Sequence, residues 1–345
     1  MDLLGSAQDP WAWWGALLAV AVILAVLAVA NTAAARWAER RNPPKGAFLE
    51  VDGVRLHYSD RGSGRPVVLV HGNAVTGDDY NTSGVAERLL GTCRVVILDR
   101  PGYGYSERPR GRPWAAFEQA ELLHQALKRL GVERPVVVGH SWGTLVALAL
   151  AIRHPADTAG LVLLSGYYFP TFRLDALMVA PGATPVLGDI LRYTVSPIFG
   201  WLGMPLTKLA MFAPAPVTER FKAEYSNAMA LRPWQIRATC VDGALMVPSA
   251  AGLQAHYGEL AMPVAIMAGD GDKIVSYHLA ERLRAAMRDS TLQIVAGAGH
   301  MVHHVATDRV VDAILAVTGK ADHAVAPTTP HPASMAPAVG PADAA

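Results

Sequence analysis

The stretch Val136-Val137-Val138-Gly139-His140-Ser141-Trp142-Gly143-Thr144 sets a serine between two glycines, where a β-branched run meets an Ala/Leu-rich segment of helical character. Gly-x-Ser-x-Gly at a strand-to-helix junction is the pattern of a nucleophile elbow. The turn is tight, so Gly139 and Gly143 must lack the Cβ that would block neighbouring backbone. Ser141 then projects alone near a helix N-terminus, where peptide dipoles favour developing negative charge. A hydroxyl is almost fully protonated near neutral pH. Attack by Ser141 therefore requires an imidazole to take its proton.

The elements that must position this serine can be read around it. Residues 48–51 and 55–58 alternate about Asp52-Gly53, a hairpin signal. Residues 67–70 form a short continuous apolar run, as a strand buried on both faces would, and end in His71-Gly72-Asn73-Ala74. A helical stretch over about 78–90 leads to a second buried strand at 94–98, followed by Asp99-Arg100-Pro101-Gly102-Tyr103-Gly104-Tyr105-Ser106. An amphipathic segment over about 114–130 precedes the elbow strand, and 161–164 is again a buried strand. Strands alternating with helices predict a mostly parallel sheet covered on both faces.

With these motifs in order, residues 67–165 resemble the α/β-hydrolase family: His-Gly-Asn-Ala after the third strand, Asp-Arg-Pro-Gly-Tyr-Gly-Tyr-Ser after the fourth, and Gly-His-Ser-Trp-Gly at the elbow. The resemblance resumes at about 262 and runs to about 317. The family pattern usually has a proline shortly after His-Gly-x, where this chain has Ala74. The resemblance implies an α/β-hydrolase fold with a helical cap inserted after the sixth strand. It also implies the order serine, acid, histidine along the chain. Gly269-Asp270-Gly271-Asp272-Lys273-Ile274-Val275 is similar to the family's Gly-x-x-Asp-x-x-Val loop, which places the acid at Asp272 and leaves Asp270 to turn chemistry. Gly297-Ala298-Gly299-His300-Met301 is similar to its terminal Gly-His loop, which makes His300 the base. The oxyanion of a tetrahedral intermediate needs two aimed donors, here the backbone N–H groups of Asn73 and Trp142. His71 and His140 are expected to support loops through hydrogen bonds, and His303 and His304 to be surface or packing residues on the final helix.

Composition limits the partners. Lys plus Arg number 30 against 29 Asp plus Glu, so no basic field recommends nucleic acid. Two cysteines, Cys93 and Cys240, suggest neither a disulfide framework nor a zinc site, and neither a metal nor a cofactor is expected. Residues 11–35 carry no charge, and 11–30 are almost wholly apolar. Twenty helical residues span roughly 30 Å, the thickness of a bilayer's hydrocarbon. Trp11, Trp13 and Trp14 lie at one end and Trp37 beyond the other, as interfacial aromatics do. Asp2 and Asp9 precede the run while Arg36, Arg40, Arg41 and Lys45 follow it, which favours a retained anchor with the rest of the chain cytoplasmic. The rival reading is a signal peptide cleaved after Ala28-Val29-Ala30, giving an exported protein.

The expected organisation is a flank (1–10), a transmembrane helix (11–35), a linker (36–46), a first part of the hydrolase core (47–165), a cap or lid (166–261), a second part of the core (262–319) and a disordered tail (320–345). The cap is rich in Tyr, Phe, Trp, Met and Leu, and apolar walls favour hydrophobic substrates. The reading is a membrane-anchored serine hydrolase acting on a small-molecule ester with an apolar acyl group. The alternatives are carbon–carbon bond hydrolysis or acyl transfer on the same residues, and a ligand-binding protein with weak turnover. Ser141 at the elbow disfavours the branches that use an aspartate nucleophile. Nothing in the residues specifies an oligomeric state.

Overall fold

The computed structural model describes residues 10–325. One sheet contains β1 (Ala47–Val51), β2 (Val54–Arg61), β3 (Arg65–Val70), β4 (Cys93–Leu98), β5 (Val136–His140), β6 (Gly160–Leu164), β7 (Val264–Gly269) and β8 (Ser290–Val295). Across the sheet the order is β1-β2-β4-β3-β5-β6-β7-β8. β2 runs antiparallel to β1 and β4, and the other pairs are parallel. The predicted hairpin forms, with Asp52 and Gly53 at φ 51° and 70°, as a turn matched to strand twist requires.

Alternation along the central strands covers both faces. Val68, Val70 and Val137 enter one apolar cluster, which packs on helices Ala116–Arg129 and Gly143–Arg153. Val67, Leu69, Val136 and Val138 enter the other, against helices Val85–Leu89 and Thr307–Val325. The predicted helix over 78–90 is divided into Asp79–Thr82 and Val85–Leu89, because Gly84 between them is left-handed at φ 80°.

Between β6 and β7 the regular structure is helical, running from Leu174–Ala183 through Ser196–Phe212 to Pro233–Leu253 and the turn Gln254–Glu259. The N-terminal helix extends over Pro10–Arg41, past residue 36 where the sequence suggests a linker. Ala35 and Ala38 are buried, and the Asn31 side chain donates to the carbonyls of Tyr193 and Thr194 at 2.8 and 2.7 Å. These small residues recur every three or four positions, so one face of the helix lies close on the body. The final helix likewise passes Lys320, the expected start of the tail, and reaches Val325. The remainder of that tail, and residues 1–9, lie outside the described residues.

A buried polar joint ties the helical insertion to the sheet. Asp242, in the middle of helix Pro233–Leu253, accepts from Arg100 at 2.5 Å and Arg108 at 2.8 Å, with the Tyr103 hydroxyl oxygen 3.0 Å away. Its side chain is fully buried. Burial alone would raise the Asp242 carboxyl, but Arg108 and Arg100 outweigh it and hold the group below the usual carboxylate range. Arg100 also reaches the end of β3: its backbone N–H donates to His71 Nε2 at 2.9 Å. His71 Nδ1 consequently carries the proton and donates to the Gly72 carbonyl at 2.8 Å. Burial, aided by the Arg100 charge, holds His71 down at about 4.

Asp242→Ala leaves two guanidinium groups buried without their counter-charge and should cost about 3–5 kcal/mol, read as a lowered thermal midpoint of the detergent-solubilised chain. An unchanged midpoint would mean that the joint does not hold the insertion. His71 predicts a pH dependence. Its folded pKa lies below its unfolded value, so between pH 6.5 and 4 the unfolded chain takes up a proton that the folded chain refuses. Stability should fall as pH drops through that window, by on the order of 3 kcal/mol from His71 alone. His140 and His303, also held below their usual value chiefly by burial, act in the same direction. His71→Asn should flatten its share of the slope in unfolding midpoints measured across that window.

Candidate active site

Ser141 sits at φ 51°, in the left-handed region that a non-glycine residue adopts only under constraint. The constraint is visible on both sides. A Cβ at Gly139 would lie 2.7 Å from the Gly143 oxygen, and one at Gly143 would collide with the carbonyl oxygens of Val70 and His71. The elbow thus leans directly on the end of β3. Ser141 is pinned through its backbone: its N–H donates to the Leu164 carbonyl at 2.9 Å, and its carbonyl accepts from Thr144 N at 3.0 Å. Its side chain is left half-buried at the head of helix Gly143–Arg153.

The two C-terminal loops meet each other. After β7, Asp272 Oδ1 accepts from the N–H groups of Ile274 and Val275 at 2.8 and 2.9 Å, while Oδ2 accepts from His300 Nδ1 at 2.8 Å. Both side chains are buried. Donation from Nδ1 leaves the lone pair on His300 Nε2. The other carboxylate of the loop, Asp270, is exposed and accepts from Gly297 N at 2.8 Å, an ordinary turn bond. Among the described residues no hydrogen bond joins Ser141 to His300. They are connected through the neighbour of Ser141: His140 Nε2 donates to the His300 carbonyl at 3.1 Å, and the two rings lie 5.0 Å apart.

The loop after β3 completes the arrangement. Arg100 Nη2 and His71 Nδ1 both donate to the Gly72 carbonyl, at 2.9 and 2.8 Å. In a trans peptide the C=O and the next N–H point opposite ways, so the Asn73 N–H is directed away from Arg100. Among the described residues neither the Asn73 N–H nor the Trp142 N–H has a hydrogen-bond acceptor. The Asn73 side chain is occupied elsewhere, donating to the Thr239 carbonyl at 3.2 Å and accepting from the Tyr103 hydroxyl at 2.5 Å. Ala74, where the family pattern has proline, takes φ 62°.

Some residues here are not apparent from sequence. His303 and His304 are buried, not at the surface, and lie on a separate short helix, Val302–Val305. Both donate from Nε2 to Asp79, at 2.7 and 2.8 Å. Burial would raise Asp79, but His303 and His304 outweigh it and hold the carboxyl well below its usual range. The His303 ring lies 4.3 Å from that of His140. Asp79 therefore ties the segment behind His300 to the helix that follows the Asn73 loop. The donor atoms of Asp79, His140 and His303 gather within 4.8 Å, as do those of Glu121, His124 and His154. In the latter group His124 pairs with Asp157 at 2.8 Å and His154 with Glu121 at 2.9 Å. Cys93 and Cys240 are both free thiols.

The chain is similar to known proteins. The model of the alpha/beta hydrolase fold family matches residues 65–307. A 2-hydroxymuconate semialdehyde hydrolase of Pseudomonas putida is 35% identical over 157 residues, 45% of this chain and 55% of that one. Haloalkane dehalogenase 2 of Mycobacterium tuberculosis is 31% identical over 152 residues, 44% of this chain and 52% of that one. The chain thus spans about half the length of these curated relatives. Among solved structures, a membrane phospholipase A described as a bacterial virulence factor superposes with a TM-score of 0.63 at 20% identity, covering 91% of this chain and 99% of that one. At that identity the likeness is one of fold. Sheet order, the elbow and a family match over most of the chain agree: the protein belongs to the alpha/beta hydrolase fold family.

Proposed function

We propose that this hydrolase is a serine enzyme that cleaves a carboxylic ester with an apolar acyl group, using Ser141 as nucleophile, His300 as base and Asp272 as the acid that orients it. The observation that carries the reading is the Asp272–His300 bond, with the His300 loop held by His140 against the elbow that presents Ser141. Ser141 Oγ attacks the ester carbonyl as His300 Nε2 takes its proton, and the Asp272 carboxylate stabilises the imidazolium. The Asn73 and Trp142 N–H groups receive the oxyanion. Collapse expels the alcohol, which takes the proton from His300, and water then releases the acid by the same steps. The C–C hydrolase reading draws on the likeness to the muconate semialdehyde hydrolase, and runs on the same residues.

The helix Pro10–Arg41 is long and apolar enough to cross a bilayer. Its side chains between Trp13 and Val29 are exposed or half-buried. We infer that it is a retained single-pass anchor with the hydrolase body on the cytoplasmic side, the orientation resting on Arg36, Arg40, Arg41 and Lys45 after the apolar run. Anchor and apolar insertion together point to an ester carried by a membrane.

A fluorophosphonate probe should label the wild-type chain and not Ser141→Ala; equal labelling of both removes the nucleophile assignment. His300→Ala and Asp272→Asn should each lower ester turnover by roughly three orders of magnitude or more, because such residues act as a unit. Asp270→Asn should stay within about tenfold of wild type. A reversed ranking of the two aspartates would reassign the acid. In cell fractions the full-length chain should withstand alkaline carbonate washing with its N-terminus intact, whereas a mature N-terminus near Asn31 would establish export.

A further inference from the structure

Among the described residues, exposed large apolar side chains fall in two stretches, with Val305 as the one outlier. The first is the N-terminal helix. The second is residues 172–209, the leading half of the helical insertion. Soluble domains scatter exposed apolar residues singly, and such a concentration calls for an occupant.

The pattern within the second stretch is regular. Phe199, Leu202, Leu206 and Leu209 are spaced three, four and three residues apart on helix Ser196–Phe212, and so form one stripe. They are exposed by 70, 61, 72 and 57%. The helix therefore has an apolar face turned away from the protein, the reverse of an ordinary surface helix.

The position of the stripe bears on what could cover it. Asn31, one residue beyond the apolar run of the N-terminal helix, bonds the carbonyls of Tyr193 and Thr194. Helix Ser196–Phe212 begins two residues after Thr194. The stripe thus starts at the level where the apolar rod meets the body. A protein partner seated on the stripe alone would leave the adjoining rod in water, whereas one lipid phase covers both.

The same helix ends at the candidate site. Met301 N donates to the Met211 carbonyl at 3.2 Å, and a Cβ at Gly299 would lie 2.6 Å from the Phe212 oxygen. One face of this element meets the outside while its C-terminal end abuts the His300 loop.

We propose that the outward stripe of helix Ser196–Phe212 is seated in the interfacial layer of the bilayer that holds residues 11–30, as a second membrane contact that delivers lipid-borne esters to Ser141. The seating stands on the exposed stripe and its junction with the rod and rests on the anchor reading above; the delivery rests on the hydrolase reading.

The test uses the full chain with Cys93→Ala and Cys240→Ala, reconstituted in vesicles of phosphatidylcholine and phosphatidylglycerol. An environment-sensitive fluorophore is placed at Leu206→Cys or, as control, at Lys222→Cys on an exposed neighbouring helix. Doxyl-labelled phosphatidylcholine should quench the Leu206 label roughly threefold more than the Lys222 label, with blue-shifted emission. Water-like emission without quenching at Leu206 overturns the seating. So does a blue shift that follows protein concentration and ignores the doxyl lipid, which assigns the stripe to a second copy of the chain. In the otherwise native chain, the double variant Leu202→Ser, Leu206→Ser should hydrolyse a water-soluble short-chain ester within about twofold of wild type. It should lose about tenfold on a long-chain ester dispersed in vesicles. Equal rates on the vesicle substrate overturn the delivery. Failure of wild type on both esters counts against the hydrolase reading, while the quenching still decides the seating.

Discussion

The buried guanidinium of Arg100 is the interaction on which the rest of this structure depends. Its Nε and Nη2 donate to the carbonyls of His71 and Gly72, both at 2.9 Å, and its Nη1 reaches Asp242 and Gln119. The rings of Tyr103 and Trp142 each lie 4.6 Å from its central carbon. A charge held away from water is tolerable only when paired and fully hydrogen-bonded. Asp242 supplies the pair, and it comes from the insertion. The loop after β3, the elbow and the insertion are therefore fixed by one group, and none can shift without exposing a cost in another.

That arrangement explains why the carbonyls of His71 and Gly72 face inward. The protein turns the carbonyl side of the His71–Gly72 backbone toward a cation and leaves the Asn73 N–H on the other side. A second anchor, Asp79 with His303 and His304, holds the back of the His300 segment. Preorganised dipoles of this kind stabilise developing charge because they need no reorientation at the moment of reaction.

The parts legible in the sequence are those governed by local rules. The elbow and the hairpin at Asp52-Gly53 announce themselves through glycine placement beside an apolar run, whereas the loops at Asp272 and His300 are picked out by their resemblance to the family's Gly-x-x-Asp-x-x-Val and Gly-His loops. Asp272 and His300 pair across 28 residues, each in the loop that follows its strand. Long-range polar joints were not legible. Asp242 lies 142 residues from Arg100, and its only signal is a carboxylate within a largely apolar helix, which must find a partner somewhere. His303 and His304 read as surface or packing residues because their partner, Asp79, is more than two hundred residues away. The extent of the N-terminal helix was hidden for a different reason: charged residues after position 35 resemble a linker until Ala35 and Ala38 find a body to pack against.

The foot of that helix has a mechanical consequence. Glu39 receives the buried Arg232 guanidinium at 2.8 Å, and the Tyr105 hydroxyl donates to the Asn42 carbonyl, with the Glu39 carbonyl beside it. Arg232 belongs to the insertion and Tyr105 to the motif loop after β4, so the rod is gripped from two independent directions. A 32-residue helix is about 48 Å long at 1.5 Å per residue. Clamped at one end in this way it is a lever, not a tether. Any torque that reorients its far end turns the sheet with it, so the attitude of the face that carries Ser141 follows the inclination of the rod.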